Sequence, residues 1–220
     1  MQTENKKYLS ILTNFGCHYE CPYCIIKKTG IRIPKTTISS LDSLEKFLLS
    51  GKYNIVSLSG GGDPLFNFDK HQDYYTKLFN LLEKYKIPLE LHTSYIINNF
   101  PAQKAYRIVY HCNLTDPNRS IEKIKRKSNE IIRVVYVVTE DLTEEKALEI
   151  SNFLGTKNVD EISFRQRIDE NYEINYHLHD FLKKYHKKKW FYIEQGDYNT
   201  YFAEGEISQK YQDFMKKYDF

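Results

Sequence analysis

Apolar residues recur along this chain in two rhythms that take turns. The run Tyr8–Thr13 reads as a first strand. Leu41, Leu44, Phe47 and Leu48 then recur at helical spacing, which predicts a helix over residues 41–49 ended by Gly51. Residues 54–59 read as a second strand that runs into three glycines. Tyr74, Leu78, Leu81, Leu82 and Tyr85 share one helix face and predict a helix over 74–85. Strands follow at Leu89–Thr93 and 106–111, then a short basic helix at 120–127. The Val- and Ile-rich stretch 132–138 is the clearest strand. A helix over 144–154 carries Glu144 and Glu145 in its first turn and Gly155 as its stop. Residues 161–165 complete the series as a sixth strand.

Strand and helix patterns in alternation imply an α/β protein with a parallel sheet covered by helices. Six units are fewer than the eight that close a full barrel. The tail breaks the rhythm. Residues 176–189 read as a basic helix. Residues 190–194 and 201–203, with Gly196-Asp197 between them, read as a β-hairpin or a pair of edge strands. The expected division is therefore a core over residues 1–170 and an extension over 171–220 packed on it. Substrate choice is expected in the extension.

Side chains alternate faces along a strand. Glu90, His92 and Ser94 oppose Leu89, Leu91 and Thr93. Arg107, His111 and Asn113 oppose Tyr106, Ile108, Tyr110 and Cys112. Glu161, Ser163 and Arg165 oppose Ile162 and Phe164. A polar face repeated on several strands predicts an interior that lines a ligand cavity, with apolar faces under the helices.

The candidate chemistry begins directly after the first strand, at Cys17-His18-Tyr19-Glu20-Cys21-Pro22-Tyr23-Cys24. Three of the four cysteines fall in this stretch, a cluster that suits metal rather than a disulfide framework. Thiolates are soft ligands that suit iron–sulfur iron. Three of them can hold three irons of a 4Fe–4S cluster and leave the fourth open. Zinc is the alternative, with His18 as a fourth ligand, in a protein that acts by binding alone. No second cysteine pair follows at finger distance, which weakens that alternative. A second motif, Ser59-Gly60-Gly61-Gly62-Asp63-Pro64-Leu65, ends the second strand. Glycines there let backbone approach a ligand closely; a plain glycine-rich turn is the other reading.

The C-x3-C-x2-C spacing, with aromatic Tyr23 before the last cysteine, resembles the signature of the radical SAM superfamily. The glycine segment is similar to that family's Gly-Gly-Glu-Pro motif, with Asp63 in place of the usual Glu. The resemblance covers about residues 8–166. It implies a partial (β/α)6 TIM-like barrel, here with a C-terminal helix and β-hairpin extension. It also implies an enzyme that reductively cleaves S-adenosylmethionine at a 4Fe–4S cluster. The product radical, 5′-deoxyadenosyl, abstracts hydrogen from a substrate. By the same resemblance Cys17, Cys21 and Cys24 ligate the cluster, Tyr23 contacts the adenine, and Gly61, Gly62 and Asp63 hold the methionine end. Ser94, His111 and Asn113 match strand-end positions that bond the ribose and carboxylate of S-adenosylmethionine. Arg165 is a candidate partner for an anionic group. Structural roles compete: a satisfied core histidine for His111, and an ion pair with Glu161 or Glu90 for Arg165.

Cys112 has two readings as well. A lone cysteine can return a hydrogen atom to a substrate radical, but its face groups Cys112 with the apolar residues, as a small buried hydrophobe. After Cys24 it is the one cysteine left, so a second cysteine-held cluster is not expected. A small-molecule substrate, nucleotide-like in one version, ranks first. A peptide-modifying enzyme or epimerase and a glycyl-radical activase are the alternatives.

Composition narrows the partners. A length of 220 residues supports one sizeable core. A net charge of +3 is too small to argue for a nucleic-acid partner. No run approaches the roughly 18 apolar residues of a membrane span. The first residues lack the long apolar run of a signal peptide, so a cytoplasmic protein is expected. Basic runs at 123–127 and 183–189 are either solvated helix faces or a dock for an acidic flavodoxin or ferredoxin that reduces the cluster.

Overall fold

The computed structural model describes residues 7–156, 158–185, 191–194, 200–210 and 212–215. Its strands are β1 (Tyr8–Thr13), β2 (Ile55–Gly60), β3 (Leu89–Thr93), β4 (Arg107–Cys112), β5 (Ile131–Val138), β6 (Glu161–Gln166), β7 (Phe191–Glu194), β8 (Tyr201–Ala203) and β9 (Glu206–Ser208). They join in one sheet in the order β7-β6-β5-β4-β3-β2-β1-β8-β9. Every pairing is parallel except β8 with β9. The first six strands are thus spatial neighbours in chain order, the commonest arrangement for consecutive strand–crossover–strand units.

The helices are α1 (Ile25–Thr29), α2 (Ser40–Leu49), α3 (Gln72–Lys84), α4 (Glu144–Ser151), α5 (His179–Tyr185) and α6 (Gln212–Met215). α2 buries Leu41, Leu44 and Leu48, and α3 buries Tyr74, Tyr75, Leu78, Leu81 and Leu82. α4 starts where the Thr143 hydroxyl accepts the Lys146 amide, an N-cap. Leu9, Ile11, Val56, Leu58, Leu91, Ile108, Val134, Ile162 and Phe164 are each at most 2% exposed. They belong to the same cluster as the α2 and α3 residues, so the main core lies between the sheet and its helices. Among the described residues, no helix is long and apolar enough to cross a membrane.

The other face of the sheet is polar, as the alternation predicts. Ser10, Ser57, Glu90 and Arg107 form one row across β1–β4. Val109, Arg133 and Glu161 lie in the next row, and His111, Val135 and Ser163 in the one after. Arg107 donates to Glu90 at 2.7 Å and to Glu161 at 3.3 Å; Arg133 donates to Glu161 at 2.7 Å. Arg107 Nε is also 3.2 Å from Glu161 Oε2, an ion pair by distance that misses hydrogen-bond geometry. Buried charges persist only where partners surround them, and here each carboxylate has an arginine. Tyr8 of β1 bonds Tyr106 and Arg107 beside β4, so side chains from strands three apart meet on this face.

Several expectations are corrected. Residues 120–127 do not form an α-helix. Ile121–Lys123 makes a single 3-10 turn. The Lys127 and Ser128 amides bond the Glu130 carboxylate, which turns the chain toward β5 instead. The basic run there is partly committed as well: Arg126 pairs with Asp160 at 2.6 Å and Lys127 Nζ donates to Asn98. The β3–β4 crossover also lacks an α-helix and carries only the 3-10 turn Ala102–Lys104, after Pro101. Tyr106 precedes β4, and its hydroxyl turns to Glu90 at 3.3 Å rather than to the outer apolar face.

The tail strands are not hairpin partners of each other. β7 pairs with β6 and β8 with β1, at opposite ends of the parallel sheet. Both add to backbone edges that would otherwise be open. The hairpin is instead β8–β9, closed by Glu204 and Gly205 at φ 46° and 88°, as a two-residue turn demands. The predicted tail helix spans α5; residues 186–190 and Gly196-Asp197 lie outside the described residues.

Candidate functional site

The cysteine loop leaves β1 and is clamped against the glycine loop that leaves β2. Gly61 donates its amide to Thr13 O and Asp63 donates its amide to Gly16 O, both at 2.8 Å. A Cβ on Gly62 would stand 2.1 Å from Gly16 O, and one on Gly61 2.3 Å from Ile33 Cγ1. These glycines were expected for close approach to a ligand. Their first physical reason is close approach of two loops of this chain. The Tyr75 hydroxyl, from α3, donates to Pro64 O and holds the glycine loop from behind.

Within the cysteine loop the Cys24 amide donates to Cys21 O at 3.0 Å, and Cys24 caps α1. All four cysteines are free; Cys17 is exposed, Cys21 and Cys24 are half-buried and Cys112 is buried. Although Cys17 is open by surface area, crowding by its surroundings pushes its thiol pKa up. The Tyr19 amide, donating to Cys17 Sγ at 3.5 Å, opposes this, while Asp63, Cys21 and Cys24 add to it. The three thiols are thus within electrostatic reach of one another. His18, the candidate fourth zinc ligand, bonds Leu65 O at 3.3 Å and stacks on Tyr95 at 4.1 Å. Among the described residues, no group of three or more His, Cys, Asp or Glu side chains is placed to hold a metal ion. A 4Fe–4S cubane takes one thiolate on each of three separate irons, so its ligands fan out rather than close on one point. Three free thiols on one short loop, within reach of each other, are a donor set that suits it.

Asp63 is 3% exposed and turns inward. Its carboxylate accepts from the Leu65 amide at 2.9 Å, the Thr93 hydroxyl at 2.8 Å and the Ser94 amide at 2.7 Å. It therefore ties the end of β2 to the end of β3. Burial pushes its carboxyl pKa up, and these hydrogen bonds pull it down. Ser94 is half-buried beside it.

Across the sheet, the Tyr23 hydroxyl accepts from Asn113 Nδ2 at 3.3 Å, so two predicted site residues from distant segments meet. His111 lies at the end of β4 and bonds His92, which bonds Glu90 in turn. His111 keeps some accessible surface on the polar face of the sheet. Burial holds its imidazole well below the ordinary histidine range, and His92, Arg165 and Arg119 add to this. Arg165, half-buried at the end of β6, is thus close enough to act on His111. The Glu90 and Glu161 carboxylates are engaged by Arg107 and Arg133.

One residue of the site carries no sequence signal of its own. Arg119 is 3% exposed, in a 3-10 turn after β4. It donates to Cys21 Sγ at 2.9 Å, to the Tyr23 hydroxyl at 3.3 Å and to His111 O at 3.1 and 3.2 Å. Its guanidinium lies 4.9 Å from the centre of the Tyr19 ring. The polar stretch around it has no periodicity. The Asn113 and Asp116 turns, each accepting backbone amides two residues on, are the only local hint that the chain doubles back there. Cys112 sits on the outer face, 2% exposed in the main core, and burial pushes its thiol up to about 12.

No protein-family model and no curated protein sequence matches the chain. A solved structure does: Streptococcus suis SuiB bound to precursor peptide SuiA. The match has a TM-score of 0.60 at 16% identity, over 87% of this chain and 49% of that one. The chain thus spans about half the length of the structure it matches. At such identity the likeness is one of architecture: this chain has the α/β fold that SuiB contains.

Proposed function

We propose that this chain is a radical SAM enzyme acting on a peptide. The observation that carries the first half is the three-cysteine loop clamped on the Gly-Gly-Asp loop. Both lie at the C-terminal ends of neighbouring parallel strands, where α/β proteins bind ligands. In this reading Cys17, Cys21 and Cys24 hold a 4Fe–4S cluster, and Gly61, Gly62, Ser94, His111, Asn113 and Arg165 surround S-adenosylmethionine. The cluster supplies the electron that cleaves S-adenosylmethionine to a hydrogen-abstracting radical. The chain's own part is to bind, orient and exclude water. Asp63 keeps the β2 and β3 ends together, Tyr23 and Asn113 link the cysteine loop to β4, and neutral His111 lies on the polar face of the sheet. Contacts from β1 to the start of β4, and from the loop after β1 to that after β4, support a sheet curved into a partial barrel. A flavodoxin- or ferredoxin-type donor is part of the same proposal.

The sequence ranks a small-molecule substrate first. The fold likeness to a structure solved with a precursor peptide favours the peptide alternative instead. Two measurements test the halves separately. Anaerobically reconstituted protein should hold about four irons and labile sulfide, and Cys24→Ala should lose them. Stoichiometric zinc without sulfide would reject the enzyme reading. Dithionite-reduced protein should form 5′-deoxyadenosine faster with peptide than without. Acceleration by small metabolites and by no peptide would return the small-molecule reading to first place.

A further inference from the structure

The buried guanidinium of Arg119 has no role in the reading above. Its placement is unusually constrained. Nε and Nη2 both donate to the His111 carbonyl, at 3.2 and 3.1 Å, which fixes the guanidinium plane on the end of β4. Held this way, Nη1 points at Cys21 Sγ, 2.9 Å away. The Tyr19 ring covers the group at 4.9 Å, and only 3% of the residue is exposed. The two bonds to the His111 carbonyl anchor the charge on β4, outside the cysteine loop that carries Cys21, Tyr19 and Tyr23. An arginine cannot shed its proton under ordinary conditions, so this is a permanent positive charge on one thiolate.

We infer that Arg119 sets the reduction potential of the cluster by placing a screened-off positive charge and a hydrogen bond on the Cys21 sulfur. This rests on the cluster assignment proposed above. Adding an electron to a thiolate-held cluster adds negative charge. A nearby cation stabilises the reduced form more than the oxidised one, and hydrogen bonds to sulfur act in the same direction. Burial sharpens the effect, because water and salt screen an enclosed charge poorly. Arg119 is in this sense a positioning residue: it acts through Cys21 and not on the substrate.

The test is a redox titration of the reconstituted cluster, followed by its paramagnetic signal. Wild type, Arg119→Gln and Arg119→Lys are compared, with S-adenosylmethionine affinity measured alongside. Gln removes the charge and should lower the potential. Lys keeps the charge and should restore part of the difference, with iron content equal in all three. Should Arg119→Gln not retain the cluster, Tyr19→Leu carries the test. It leaves the arginine but uncovers it, and should lower the potential by a smaller amount. A cluster-loaded Arg119→Gln with the wild-type potential would overturn the inference. So would weakened S-adenosylmethionine binding at constant potential, which would make Arg119 a cofactor ligand. An unchanged or raised potential in Tyr19→Leu would overturn it too. Wild type that takes up no iron–sulfur cluster would overturn the functional proposal and this inference together, and the iron count shows that first.

Discussion

His92 Nδ1 stands 3.1 Å from His111 Nε2, so one of these nitrogens carries the shared proton and the other accepts it. His92 Nε2 is 2.8 Å from Glu90 Oε1, which anchors the pair at a fully buried carboxylate. His111 is held neutral because burial, and then the His92, Arg165 and Arg119 charges, disfavour its imidazolium. A group with a depressed folded pKa gives stability that is whole above its unfolded value, near 6.5, and is lost as pH falls below it. We expect denaturation midpoints to fall between pH 7.5 and 5.5, and to fall less in His111→Gln. Equal losses in the two proteins would show that His111 does not carry this acid limb.

Asp63 stands where the resembling motif has Glu, yet Asp63→Glu should not improve the protein. The carboxylate is already saturated by Leu65, Thr93 and Ser94. An added methylene in an enclosed site costs about 1–3 kcal/mol. Asp63→Ala strands those buried donors and should cost on the order of 3 kcal/mol. Chemical denaturation of the cluster-free protein reads both. A neutral Asp63→Glu would reveal space that these contacts do not suggest.

Gly62→Ala should separate packing of the cysteine loop from general stability. Its Cβ would meet Gly16 O at 2.1 Å, a backbone atom that cannot swing away. Gly51→Ala is the control: φ is 64° there, but the space is open. Both variants should lose thermal stability, Gly51→Ala because a left-handed alanine is strained and Gly62→Ala because of the backbone clash. Only Gly62→Ala should also lose iron uptake on reconstitution. Full uptake by Gly62→Ala would mean the two loops need not touch.

Cys112→Ala should leave S-adenosylmethionine cleavage unchanged. The thiol faces the helices and bonds Tyr136, away from the polar face that holds His111. With its pKa pushed up to about 12, it should also resist alkylation in the folded protein. The expected stability loss is on the order of 1 kcal/mol, from the small cavity. Products that change when Cys112 is removed would place the thiol at the substrate and favour an epimerase.

What this sequence determines by itself is what its local periods encode. Six strands, the helices α2, α3 and α4, and the polar face of β3, β4 and β6 can all be read from residues two to four apart. The reason is that side-chain direction follows from the backbone repeat alone. The cysteine and glycine motifs are legible for the same reason, since each is a single loop. Only the tertiary structure decides the rest. Arg119 reaches Cys21 across 98 positions of sequence, from a polar 3-10 turn whose own pattern has no periodicity. Arg133 sits in the most apolar strand of the chain, and its charge is accommodated there because Glu161 pairs with it from β6. Residues 191–194 and 201–203 read equally well as partners of each other. Their separation to β6 and β1 depends on which sheet edges stand open once the other strands have paired. Edge availability, buried charge pairing and loop-to-loop contact are properties of chain segments brought together from far apart, and no local pattern carries them.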